Sequence, residues 1–246
     1  MELEKIANES LKATAHHLAE EKYQPEDPLQ SLEVQEAKIE RELSQCMLLA
    51  KTRIRDGFRA CVEAVEGLAR LDNSIDLAAL QKNVDYAFSR FETVAMAKDM
   101  CTQLMEGHSW KELLGLDDTT MLLLYRGAKT LFDTGHHPEA EAAFFFLTTI
   151  DFTQYVFWLG LGHAAFHLNN INQALNAYDM ADTCQPGSIW PHIYMANCFE
   201  AQYDYEESFI CLKAADQELA RSQEKDETLA SELKSRLQTA KPRFGS

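Results

Sequence analysis

The sequence predicts an all-α protein: a short right-handed solenoid of tandem helical hairpins, preceded by a long helical hairpin. Three observations carry that reading. Gly and Pro are scarce, 10 and 6 in 246 residues, so β-hairpin turns have almost no residues to form them. Apolar residues recur at steps of three and four over most of the chain. One pattern of 34 residues occurs three times without a gap.

From the N-terminus, MELEKIANESLKATAHHLAEEKYQ is charged throughout and holds no apolar leader, and a first helix is expected over about Leu3 to Lys22. The segment YQPEDP, with Pro25 and Pro28, breaks it. A long helix to about Leu71 is expected next, with Leu32, Ile39, Leu43, Cys46, Ala50, Ile54, Phe58, Cys61, Val65 and Leu68 along one seam. Asp72-Asn-Ser-Ile-Asp76 supplies a turn and an N-cap, and Leu77, Leu80, Val84, Phe88, Phe91 and Ala95 return along a second helix. Residues 1–95 are thus read as an N-terminal helical region built as a long antiparallel hairpin. Its packing partner, within the chain or in a second copy, is left open, and the repeats beyond it are expected to fold without it.

In WLGLGHAAFHLNNINQALNAYDMADTCQP the order Trp158, Leu161, Gly162, Ala165, Ala174, Tyr178, Ala181, Pro186 follows the tetratricopeptide pattern, with Ala for the first aromatic and Tyr for the second. A shift of 34 residues back gives Leu124, Gly127, Ala128, Leu131, Ala140, Phe144, Leu147 and Phe152; the same shift forward gives His192, Met195, Ala196, Phe199, Ser208, Leu212, Ala215 and Ala220. The repeats fall at about 121–154, 155–188 and 189–222, within a domain of 96–222. Gly162 and Ala174 let two antiparallel helix axes approach, while Leu161 and Tyr178 fill the space beside them. The links Thr134-Gly-His-His-Pro138, Leu168-Asn-Asn-Ile171 and Gln202-Tyr-Asp-Tyr205 suit helix ends. A lone repeat cannot bury its own faces, so each end needs a cap. Residues 223–246 supply one: a helix over about Lys225 to Ala240 carrying Leu229, Leu233 and Leu237, ended by Pro242.

In such arrays the first helix of each repeat lines the concave face through repeat positions 2, 5, 9 and 12. The first repeat places Leu122, Tyr125, Lys129 and Phe132 there, the second Val156, Leu159, His163 and Phe166, the third Trp190, Ile193, Asn197 and Glu200. Eight of the twelve are apolar or aromatic, more than a solvated face carries. These residues are the candidate peptide-binding groove.

Composition narrows the partners. The net charge is −16; residues 107–220 hold 4 Lys+Arg against 15 Asp+Glu, and 221–246 hold 6 against 4. Nucleic acid or an anionic membrane surface needs clustered cations, so neither is expected as a partner. No run approaches the length of a membrane span, and a cytosolic protein is expected. The six cysteines form no CxxC pair and sit in helical patterns, as reduced thiols would. His163 and His167 are four apart, a spacing that can hold a metal, but no further ligand is positioned by sequence and no metal is expected. No nucleophile elbow, P-loop or dinucleotide fingerprint occurs, so neither an enzyme nor a cofactor is expected.

The run from Gly107 adds a specific resemblance. Leu113-Leu-Gly-Leu-Asp-Asp-Thr119, Leu124-Tyr125, Gly135-His-His-Pro-Glu-Ala140, Ile150-Asp151 and Phe157-Trp-Leu-Gly-Leu-Gly162 are similar to the links of class II chaperones, the tetratricopeptide chaperones of bacterial type III secretion translocators. The resemblance covers about Met96 to Ala220. It implies a bacterial cytoplasmic export chaperone without ATPase activity, whose groove holds an extended P-x-L-x-x-P type segment of a translocator or effector and keeps it soluble and export-competent. On matching positions Tyr125, Phe132, Leu159, Phe166 and Trp190 would be the anchors. Lys129 stands where the family often has an aromatic, and His163 where it often has Ala. The family dimerises through a short N-terminal helix. Here about a hundred extra residues precede it, and they are candidates for homodimerisation, for regulating the groove, or for binding a component of the secretion apparatus. Two other readings stay open: a scaffold gripping an acidic C-terminal peptide, for which only Lys129 and Asn197 qualify, and an assembly subunit with no transferable client.

Overall fold

The computed structural model describes Lys12, Ala13, Ala15, His16, Ala19, residues 32–89, Gln103, 108–222 and 227–244. Of the first predicted helix only Lys12, Ala13, Ala15, His16 and Ala19 are described, all helical; the rest of it, the Pro25–Pro28 break, and Phe91 and Ala95 of the second helix lie outside the described residues. Among those described, every regular element is a helix: α1 Leu32–Ala69, α2 Leu77–Ser89, α3 Trp110–Leu114, α4 Asp118–Asp133, α5 His137–Ile150, α6 Tyr155–His167, α7 Ile171–Cys184, α8 Ile189–Ala201, α9 Tyr205–Arg221 and α10 Glu227–Phe244. The pairs α4/α5, α6/α7 and α8/α9 are the three repeats.

Turn chemistry sets the register. Gly135, Asn169 and Tyr203, 34 residues apart, all take left-handed φ, at 82°, 59° and 61°. Each follows the first helix of its repeat. The next amide then reaches back to the helix: His136 N–H to Leu131 O, Asn170 N–H to Ala165 O and Asp204 N–H to Phe199 O, each 2.9 Å. That closure satisfies carbonyls the ending helix leaves free. The Leu113–Thr119 link has an equally local cause. Ser109 and Glu112 cap α3 reciprocally, Gly115 ends it at φ 63°, and Asp117 opens α4 by accepting Thr120 N–H at 2.7 Å.

Packing explains WLGLG. A Cβ on Gly160 would lie 2.2 Å from the Phe144 ring, and one on Gly162 would lie 2.4 Å from the Tyr178 ring. The two glycines therefore admit one aromatic from the preceding repeat and one from their own, at the close-packed density of a protein interior.

The long helix α1 packs within the chain, against α5 and α4. Gly57 lies so close that a Cβ would meet Ala142 O at 2.0 Å, and a Cβ on Gly127 would meet Cys61 O at 2.8 Å. Phe58 meets Phe146 edge-on at 5.4 Å, and Arg53 stacks over Phe145 while pairing with Glu141. Cys61 and Val65 are fully buried, in one core with Leu124, Phe144, Leu147 and Leu161. The packing partner that the sequence left open is thus within the chain: α1 lies against the first repeat where a preceding repeat would stack. Asp72 and Asp76 form the predicted turn and cap, accepting from Ser74 and Ala79. The helix α2 then packs toward α3 and toward the start of α4, where Asn83 Nδ2 donates to Thr120 Oγ1 at 2.9 Å. Leu80 and Val84 enter the same core.

At the other end α10 packs on α9, with Leu229, Leu233 and Leu237 in the predicted stripe. Pro242 does not end it; the helix runs to Phe244. Proline cannot donate to the carbonyl of Gln238, and Gln238 is exposed, so water can serve that oxygen and the last turn persists.

Candidate functional site

The first helices α4, α6 and α8 carry the candidate residues. Position 2 forms an exposed row along the array: Leu122 is 58% exposed, Val156 41% and Trp190 47%. Below it, Tyr125 is half-buried against Phe157 and Phe144, with ring centres 5.7 and 6.3 Å away. Leu159 and Phe166 are half-buried over the second repeat's core. Lys129 is exposed and ion-paired with Asp133 one turn on, so it is not an unpaired cation waiting for a carboxylate.

A ribbon of rings crosses the repeats. Trp190 stacks on Tyr194 at 6.0 Å, and Tyr194 meets His163 edge-on at 4.4 Å. His163 lies 6.1 Å from Phe132. Phe132 meets His167 at 5.3 Å, and His167 stacks on His137 at 4.5 Å. His163 and His167 share Phe132 and otherwise meet different rings, Tyr178 and Tyr194 for the one and His137 for the other. Among the described residues no three of His, Cys, Asp and Glu come together as a metal site would require.

His163 is the electrostatic centre of the ribbon. Its Nδ1 lies 3.0 Å from the Tyr178 hydroxyl. Burial, with a smaller contribution from His167, lowers its pKa to about 4, so the ring is neutral near pH 7. Burial pushes the Tyr178 and Tyr194 phenols up.

The third repeat differs from the expectation. Ile193 is only 7% exposed and shares a core with Leu212, Leu219, Leu233 and Ala240. Arg236 of α10 donates to Asn197 Oδ1 at 2.7 Å and to Glu200 Oε1 at 3.0 Å, and Ser208 Oγ donates to the same Glu200 oxygen. Ile193, Asn197 and Glu200 are therefore held by the chain's own C-terminal helix, and the accessible part of the face is Leu122 to Phe166 plus Trp190. Repeat arithmetic places a residue on a face; it does not say which faces a cap covers.

Sequence reasoning missed Tyr194, His137 and the neutral pairing of His163 with Tyr178. Tyr194 sits four residues after Trp190, and that helical spacing was the available signal. It also missed a cleft of about 770 Å³ walled by Arg53, Trp110, Phe145, Phe152, Trp158 and Met180. Its walls come from α1, α3, α5, α6 and α7 together with the loop after α5, a combination no single-segment pattern contains.

No protein-family model and no curated protein matches the chain. Solved structures do. A type III secretion complex from Aeromonas hydrophila aligns with TM-score 0.56 and 22% identity, over 60% of this chain and 98% of that one. The translocator chaperone SycD of Yersinia enterocolitica aligns with TM-score 0.51 and 22% identity, over 54% and 98%. PcrH of Pseudomonas aeruginosa, solved with the chaperone-binding region of PopD, aligns with TM-score 0.50 and 22% identity, over 53% and 97%. By its repeat register and by these likenesses, the chain has the all-α tetratricopeptide fold of type III secretion translocator chaperones.

Proposed function

We propose that the protein is a type III secretion chaperone of the bacterial cytoplasm that holds an extended apolar segment of a translocator or effector on the face formed by α4, α6 and the start of α8. The observation that carries this is the row Leu122, Val156 and Trp190, left 41–58% exposed above a continuous aromatic ribbon. A folded protein rarely leaves large apolar side chains aligned toward water without a use for them. Support comes from PcrH, a fold relative solved with the chaperone-binding region of PopD. Each Leu-sized anchor would contribute about 1.5–3 kcal/mol on burial, and ordering the segment subtracts from that, so micromolar affinity is expected. No covalent step is involved, and nothing in the proposal calls for a cofactor. The helix α1, built into the core, is proposed as the N-terminal cap of the repeats and not as a separate client-binding arm.

The test is co-expression with whatever proteins are encoded beside this chain, followed by purification. A bound polypeptide that Tyr125→Ala and Trp190→Ala release, each weakening it about tenfold, supports the proposal. Association that both variants leave intact would instead mark an assembly subunit with no transferable client.

A further inference from the structure

We infer that His163 is a hydrogen-bond donor of fixed polarity that reads a main-chain carbonyl of the guest segment, which makes it a specificity-determining residue of the face. The inference rests on the guest-holding proposal above. Tyr178 is 1% exposed, so its hydroxyl hydrogen must find an acceptor inside the protein. His163 Nδ1, at 3.0 Å, is the acceptor in reach. The opposite polarity, Nδ1–H donating to the phenol oxygen, would strand the phenol hydrogen in an apolar site, at a cost of about 1–3 kcal/mol. With Nδ1 accepting, the neutral ring carries its hydrogen on Nε2.

His163 is only partly buried, and Nε2 is the ring nitrogen that Tyr178 does not engage. It is not among the buried side-chain atoms lacking a partner, as His137 Nδ1 is. The groups packed around the ring are Phe132 from α4, Tyr178 from α7, Tyr194 from α8 and, on its own helix, His167. An N–H donor set among aromatic rings suits a peptide backbone, which must keep its carbonyls paired while its side chains are buried. It suits a bare hydrophobic surface poorly. The donor would also fix the guest's register, because a segment slipped by one residue would present an apolar side chain where the carbonyl belongs.

The experiment has two arms on the full chain. In the first, isotope-labelled histidine and long-range proton–nitrogen spectra read the His163 tautomer; hydrogen on Nε2 is expected, and hydrogen on Nδ1 overturns the inference. In the second, a short synthetic peptide with a Pro-x-Leu-x-x-Pro core is titrated into the wild type, Tyr125→Ala, His163→Gln and the double variant His163→Phe/Tyr178→Phe. The double variant keeps both rings and strands no hydroxyl. Expected is a loss of about tenfold for the double variant and less than about threefold for His163→Gln, whose amide can still donate. If the wild type binds, Tyr125→Ala weakens it and the double variant binds as the wild type does, the inference falls while the guest-holding reading stands. If the wild type fails to bind the peptide, both fall.

Discussion

The two ends of the array are capped in different ways. At the N-terminal end α1 approaches side-on, and its closeness comes from glycine: Gly57 rests on the Ala142 carbonyl, and Gly127 admits the Cys61 carbonyl. The contact is backbone against backbone, on α5 and the neighbouring flank of α4, and it leaves Leu122 and Lys129 exposed. At the C-terminal end α10 covers Ile193 with leucines and ties Asn197 and Glu200 through Arg236. One cap closes the core and spares the candidate face; the other closes the core by using that face. A repeat array can therefore end without losing its inner surface only where the capping helix gets close enough from the side.

The largest effect should come from the glycine contact. Gly57→Ala places a methyl group against a backbone carbonyl that cannot swing away, and a loss of about 3 kcal/mol is expected. Gly67→Ala on the same helix meets nothing within 4 Å, and a gain of about 0.5–1 kcal/mol is expected there. Urea unfolding of the pair decides it; equal and small effects would mean that α1 is not seated as described.

Acid titration distinguishes the open part of the face from the covered part. The His163 pKa is lowered from 6.5 to about 4 in the fold. Above pH 6.5 the ring is neutral in both folded and unfolded chains, and its contribution to stability is fully present. As pH falls from 6.5 toward 4 the unfolded chain takes up a proton that the folded chain refuses, so stability declines by about 1 kcal/mol per pH unit. The carboxylates held low, Asp72, Glu112 and Asp117, start from 3.8 to 4.5 and lose their contribution mostly below that window. His163→Gln should flatten the slope between pH 6.5 and 4; an unchanged slope would assign it elsewhere.

Arg236→Met tests the other cap. It keeps most of the stem and removes the bonds to Asn197 and Glu200, and a destabilisation of about 1 kcal/mol is expected. Guest affinity should not change if α10 is a permanent cap. A rise in affinity, read by calorimetry, would make α10 a lid over the third repeat and erase the contrast between the two ends.

The smallest effect concerns the turns. Tyr203 is 79% exposed and holds φ at 61° where the first repeat has Gly135. Tyr203→Gly should raise stability by about 0.5–1 kcal/mol, because a Cβ is disfavoured in that conformation, whereas Asn169→Gly should change little. Thermal melts of the two variants separate strain at the third turn from a general benefit of glycine.

What the sequence determined by itself is what local chemistry controls. The 34-residue register, the turns at Gly135, Asn169 and Tyr203, the Asp117 cap and the residues at inner positions follow from bonds and periodicities spanning a few residues. Those interactions are short along the chain, so a pattern can record them. Tertiary structure alone decided the rest: that α1 joins the first repeat's core, that α10 takes Ile193 and Asn197 out of the open face, and that Tyr178 sets the polarity of His163. Each of these depends on how closely two distant surfaces approach. That distance is set by the fit of facing residues, such as Gly57 against Ala142, and fit is a property of pairs that no single segment contains.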